Sequence, residues 1–358
     1  MPMPIEKTRR KARGARTNAT GRYERFARVE EADGWDIPLE RDPFQTVVTQ
    51  ERARKIITYN RSPDLPFDRS INPYRGCEHG CVYCFARPTH AYLGLSPGLD
   101  FETRLIARPN AAQVLDRELR AKSYRVATLA IGTNTDPYQP IERDRGIMRD
   151  CLTVLAAFNH PVAIVTKGAL IERDIDILAP MAAKGLVRVG VSVTSLDAVL
   201  SRRMEPRAPA PARRLMMIQA LAEADIPVRV MASPLVPGLT DPELERILEA
   251  GRDAGASAAS WIMLRLPLEV SPLWQDWLAE HYPDRATRVM GKLREMHNGK
   301  TYSANWHHRM RGTGEYAALI AARFKLAIKR LGLAEALSPL RTDLFKAPAK
   351  PGDQLNLF

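Results

Sequence analysis

Three of the four cysteines in this 358-residue chain fall in one short run, Ile71-Asn-Pro-Tyr-Arg-Gly-Cys77-Glu-His-Gly-Cys81-Val-Tyr-Cys84-Phe-Ala-Arg-Pro. Cysteines this close cannot bridge one another without strain, so metal binding is the chemistry they offer. Three thiolates can hold three irons of a four-iron cubane and leave the fourth iron open to a chelating cofactor. Gly76 and Gly80 let the backbone wrap closely and turn amides toward the cluster sulfides. The alternative is a structural zinc ion held by the same cysteines with His79 or His90, although the second C-x2-C knuckle of a zinc ribbon is absent. Cys151 stands apart in an apolar helical stretch with Met148, Leu152 and Leu155, and reads as a core thiol.

Such a loop needs a scaffold that delivers it to a strand end. From about residue 70, short apolar runs alternate with amphipathic stretches. The runs are Val126–Ile131, Val162–Val165, Val187–Val193, Val228–Met231 and Ala258–Met263, with one more strand near Ser70–Tyr74. Helical stretches lie between them at Ala111–Lys122, Gly146–Phe158, Ile171–Ala183, Arg213–Ala224 and Asp241–Asp253. Alternation of this kind predicts parallel βα units. Six of them suit an α/β fold of the partial (β/α)6 barrel type, with chemistry at the C-terminal ends of the strands. Polar residues stand at those ends: Thr133, Asn134, Asp136 and Tyr138 after the second strand, Thr166 and Lys167 after the third, and Ser192 and Thr194 on the fourth. Ordinary turn chemistry is the competing explanation for them.

The pattern C-x3-C-x-aromatic-C, with Tyr83 as the aromatic, resembles the signature of the radical S-adenosylmethionine (SAM) superfamily. The wider block NPYRGCEHGCVYCFARPTH is similar to the subgroup around spore photoproduct lyase, a likeness that covers roughly residues 60–290. The resemblance implies a [4Fe–4S] cluster on Cys77, Cys81 and Cys84, with SAM chelating the open iron. One electron, from a donor such as a flavodoxin or ferredoxin, would cleave SAM to methionine and a 5′-deoxyadenosyl radical. It further implies SAM contacts from Lys167 (to the carboxylate) and Ser192 (to the ribose); by position, Thr194 could also reach the ribose, Thr133, Asn134 and Asp136 could face the ammonium or the substrate, and Tyr83 and Thr166 are cofactor-site candidates. The lyase returns hydrogen from a cysteine at the end of its second strand, whereas Ile131–Asp136 contains none. Tyr138 is the residue that could substitute.

The remaining segments bear on partners. A net charge of +12 and a pI near 9.7 favour polyanions. Residues 1–28 read as a disordered basic arm, either solubilising or nucleic-acid-binding. Residues 29–69 form a lead-in with Trp35, Phe44, Ile56 and Ile57 as anchors, and residues 70–265 the barrel. Residues 266–336 form a helical extension with a helix at Tyr316–Leu331, and residues 337–358 a flexible tail. Arg202, Arg203, Glu205, Arg207, Arg213 and Arg214 read as a polar rim loop, facing either phosphates or water. The chain closes on Gln354-Leu355-Asn356-Leu357-Phe358, which resembles a bacterial sliding-clamp-binding peptide, with Asn356 as a departure. In that motif Gln354, Leu355, Leu357 and Phe358 would make the contacts; the alternative is a tail folded back on the barrel base. With no apolar run of about eighteen residues and no signal-like start, a cytoplasmic protein with no membrane contact is expected. The expected function is radical SAM chemistry on DNA, in repair or modification. The alternatives are a radical SAM enzyme acting on RNA or another substrate, or a non-catalytic Fe–S or zinc protein that tethers to DNA.

Overall fold

The computed structural model describes residues 13–15, 17–24 and 45–349. Its strands, in chain order, are β1 (Val47–Gln50), β2 (Ile57–Tyr59), β3 (Arg69–Ile71), β4 (Tyr74–Arg75), β5 (Arg104–Ala107), β6 (Leu129–Ile131), β7 (Val162–Thr166), β8 (Val187–Ser192), β9 (Val228–Leu235) and β10 (Ala258–Met263). The main sheet runs β10-β9-β8-β7-β6-β3-β2. Neighbours from β3 to β10 are all parallel, and β2 caps the edge antiparallel to β3. These are the six expected βα strands in the order of a partial (β/α)6 barrel. The sheet stays open, with β2 and β10 as its edges.

Register and helix faces follow from side-chain period. Ile71, Ile131 and Ile164 stand at paired positions on β3, β6 and β7, and all are buried. The helix Ala111–Leu119 buries Ala111, Val114, Leu115 and Leu119, a three-to-four spacing that puts one stripe on the core. In the helix Leu244–Asp253 the buried stripe includes Gly251, where an added Cβ would lie 2.6 Å from the Val230 side chain. That glycine lets helix and β9 meet closely. The strand expected near Ser70–Tyr74 is split into β3 and β4 at Asn72-Pro73, since proline has no N–H for a ladder. After the break β4 joins a separate sheet, β1-β5-β4, which carries the chain into the cysteine loop.

Two sequence expectations need correction. The described part of the stretch taken as a disordered arm is ordered on the barrel: Gly14 and Ala15 donate from their amides to the buried carboxylate of Glu102, and Asn18 bonds Asp100. Buried carboxylates need donors, and the arm supplies them. Trp274 and Trp277 stack at 4.8 Å within the helix Val270–His281, which packs with the helix Pro283–Met296. The tail is pinned as far as it is described. Arg341 N–H donates to Gly185, Lys346 N–H donates to Phe158, and Phe345 lies among Tyr124, Phe158 and His160. Phe158 and Gly185 precede β7 and β8, so this segment crosses the base of the barrel. Trp35, Phe44 and the pentapeptide 354–358 lie outside the described residues. Among the described residues no helix is long and apolar enough to cross a membrane.

Candidate active site

The loop from Gly76 to Cys84 is held by its backbone. Arg87, fully buried, donates to the carbonyls of Gly80, Cys81, Pro97 and Gly98 and pairs with Glu102 at 2.5 Å. Gln139 donates to the Gly76 carbonyl and accepts from the Glu78 amide. Gly80 sits at φ +68, and a Cβ there would lie 2.7 Å from the Glu102 carboxylate. The loop is also paired with the segment after β8: Val82 N–H donates to Met204, and Arg207 N–H donates to His79.

All three cysteines of the loop are free thiols on the wall of one cavity of about 190 Å³. The other walls are strand ends: Thr133, Asn134 and Asp136 after β6, Thr166 and Lys167 after β7, Ser192 on β8, and Ser233 and Pro234 on β9. Nearly every sequence-predicted polar residue therefore reaches the same space as the cysteines. Burial pushes all three thiols up, Cys81 to about 12. A cation is needed to hold them as thiolates, and a cluster provides one. His79 and His90 do not complete a zinc site. His79 Nδ1 lies 3.4 Å from Asp136, and His90 Nε2 is bonded to the Arg104 carbonyl at 2.9 Å. Among the described residues no three His, Cys, Asp or Glu side chains converge on a single-ion site.

The lining residues divide by how much of their bonding is already used. Asp136 accepts from the Thr166 hydroxyl at 2.6 Å, the Lys167 amide at 2.8 Å and the Tyr138 amide at 2.9 Å. Burial opposes its charge, but His79 and these donors win, and it ionises at about 2. It braces two strand ends. The Ser192 hydroxyl donates to the Ser233 carbonyl. By contrast, the Ser233 hydroxyl and Arg265 Nε are buried on the cavity wall without a partner among the described residues. Unpaired polar atoms in a lined space are what a polar ligand would satisfy. The Lys167 ammonium lies 5.8 Å from the centre of the Tyr83 ring and 4.0 Å from Glu205.

Three expectations are displaced. Thr194 does not line the cavity; its hydroxyl is 2.7 Å from Glu205 and 3.0 Å from the Ser233 carbonyl. Tyr138 is turned away from the cysteine cavity, with its ring buried near Asp174 and Glu142, so it is not placed to return hydrogen there. Glu205 and Arg214, read as rim residues, are a buried ion pair that also receives the Tyr83 hydroxyl. Burial works against the Glu205 charge, and Arg214 and Lys167 outweigh it, so the carboxyl titrates at about 2. The sequence signal for this pair was an acid in an arginine-rich loop, which alone does not distinguish a buried partner from a solvated one. Cys151 is fully buried in the helix Ile147–Ala157, as expected of a core thiol.

An α/β fold with three unpaired thiols at the C-terminal mouth of parallel strands defines a class of iron–sulfur enzymes, and the comparisons agree with it. The model of the radical SAM superfamily matches residues 71–251. An uncharacterized protein of Mycobacterium tuberculosis is 38% identical over 265 residues, covering 74% of this chain and 76% of its own. One from Methanocaldococcus jannaschii is 25% identical over 193 residues, covering 54% of this chain and 69% of its own. A spore photoproduct lyase double mutant, solved with bound AdoMet and dinucleoside spore photoproduct, superposes with a TM-score of 0.57 at 15% identity, over 82% of each chain. That last likeness is one of fold. The chain belongs to the radical SAM superfamily, and membership implies a [4Fe–4S] cluster and SAM.

Proposed function

We propose that this chain is a radical SAM enzyme acting on DNA, in repair or modification, with Cys77, Cys81 and Cys84 as the cluster ligands. The observation that carries the reading is the single cavity shared by three free thiols and the polar ends of β6 to β9. Once bound, the cluster supplies the electron that cleaves SAM to methionine and a 5′-deoxyadenosyl radical. The residues of this chain hold and shield. Lys167 offers an ammonium to the SAM carboxylate, and Thr133, Asn134 and the Ser233 hydroxyl offer uncommitted polar groups to the rest of the cofactor. Tyr83, anchored on Glu205, closes the wall beside Cys84. The DNA substrate is supported by the +12 charge and by a fold shared with a lyase solved with a dinucleoside photoproduct.

The tail fits a tether to a sliding clamp. Its described part crosses the base of the barrel rather than the cysteine mouth, and a tether of this kind would raise the local concentration of the enzyme on DNA. Deleting 354–358 should abolish clamp binding by the intact protein without altering SAM cleavage; clamp binding that survives the deletion rejects the tether. SAM ligation is tested by electron paramagnetic resonance of the reduced, reconstituted protein. Added SAM should change the cluster signal, and an unchanged signal rejects ligation. Ultraviolet-damaged DNA should raise 5′-deoxyadenosine yield over undamaged DNA and tRNA; stimulation by tRNA alone would move the substrate to RNA.

A further inference from the structure

Beside the cysteine cavity lies a second, larger one of about 520 Å³ that the chemistry above leaves unused. Its walls carry Arg143, Arg202 and Arg207, and among the described residues no Asp or Glu lines it. The Arg143 side chain has no hydrogen-bond partner among the described residues, and Arg202 spends one bond on the Pro206 carbonyl. Arg207 faces Glu78 at 3.4 Å. The helix Pro211–Glu223 starts on the same wall at Ala210, with no side-chain cap. Pro211 has no N–H, but the amides of Ala212 and Arg213 in the first turn add partial positive charge to that of the guanidinium groups. Glu78 offsets part of the Arg207 charge, whereas Arg143 and Arg202 have no ion-pair partner among the described residues, a cost that a bound anion removes.

Resting on the reading just given, we propose that this cavity is a phosphate subsite that holds one nucleotide's phosphate of a polynucleotide substrate. Three guanidinium groups suit the several oxygens of a phosphate. The volume is that of a pocket for a nucleotide-sized ligand. The location explains the use: His79 lines both cavities, with Nδ1 toward Asp136 on the cysteine side. The Arg207 amide bonds the His79 carbonyl at 3.2 Å. A phosphate held here sits one side chain away from the cluster cavity, so the subsite fixes where along the strand the radical is delivered.

The test uses the reconstituted full chain and fluorescence anisotropy of a labelled DNA 12-mer, titrated across salt concentrations without reductant, so the outcome does not depend on SAM cleavage. The Arg143→Ala/Arg202→Ala variant should bind about tenfold or more weakly, and its log–log salt slope should fall by about one, the loss of a single phosphate contact. The control Arg246→Ala/Arg330→Ala removes the same charge from the outer helices and should bind as wild type does. Inorganic phosphate should compete with the 12-mer on the wild type but not on the Arg143/Arg202 variant. Equal loss in both variants would mean diffuse charge and overturn the subsite, as would no loss in either. A mononucleotide that binds as tightly as the 12-mer would overturn the polynucleotide assignment in favour of a free nucleotide. Radical chemistry could still stand after any of these failures, because it is read separately from 5′-deoxyadenosine.

Discussion

Replacing Arg87 by methionine should separate the cysteine loop from the rest of the fold. Both Arg87 and its partner Glu102 are fully buried. Methionine keeps much of the side-chain volume but removes the charge and five donated bonds, two of them to the carbonyls of Gly80 and Cys81. Glu102 would be left buried with the Gly14 and Ala15 amides and the more distant Arg13 charge. Stranding one member of a buried pair costs about 3–5 kcal/mol. For a chain this long that lowers Tm by roughly 6–10 °C, taking about 2 °C per kcal/mol. The Gly80–Cys81 turn would also lose its clamp, so iron and sulfide per chain after anaerobic reconstitution should fall well below wild type. Adding Glu102→Gln removes the stranded charge and should return part of the Tm, while iron stays low because the loop carbonyls remain unpaired. A single variant that keeps its full iron content and melts within about 2 °C of wild type would refute the reasoning.

Three further outcomes are expected. Cys81→Ala should abolish iron–sulfur absorption while far-ultraviolet circular dichroism stays native; full retention of the chromophore would overturn the ligand assignment. Glu205→Gln should lower stability by about 3 kcal/mol in denaturant unfolding, because it strands the buried Arg214 charge; an unchanged midpoint would mean that Arg214 is solvated. His160 gives a pH dependence. Burial lowers its pKa from the usual 6.5 to about 4, while Nε2 accepts from the Tyr124 hydroxyl. Below pH 6.5 the unfolded chain binds a proton that the native chain refuses, so stability falls as pH drops toward 4. The loss reaches about 2 kcal/mol at pH 5 relative to pH 7. In His160→Gln that share of the pH dependence should vanish, and a variant with an unaltered pH profile would show that His160 is not its source.

Much of the barrel was legible because its strands place buried valines at every second position, as Val187, Val189 and Val191 do on β8 and Val228 and Val230 on β9. Short elements such as β1, β2 and β5 were not, since three or four residues carry too little periodicity to read. The cysteine loop announced itself by local spacing. Its supports did not: Arg87, Glu102, Gln139 and Glu205 act across separations of 6 to 122 residues, and a lone polar or charged residue in a sequence looks the same whether solvated or buried. The basic arm misled for the same reason. Its composition is that of a disordered segment, yet the amides of Gly14 and Ala15 are taken by a carboxylate more than eighty residues away. Backbone donors leave no mark in composition.

The most direct test of the central claim is anaerobic. Protein reconstituted with iron and sulfide is mixed with SAM and a strong reductant, and 5′-deoxyadenosine is measured by chromatography beside the Cys77→Ala/Cys81→Ala/Cys84→Ala variant. The account predicts 5′-deoxyadenosine from the wild type and none from the variant. A wild type that carries a full four-iron cluster yet yields no 5′-deoxyadenosine, with or without damaged DNA, would contradict it.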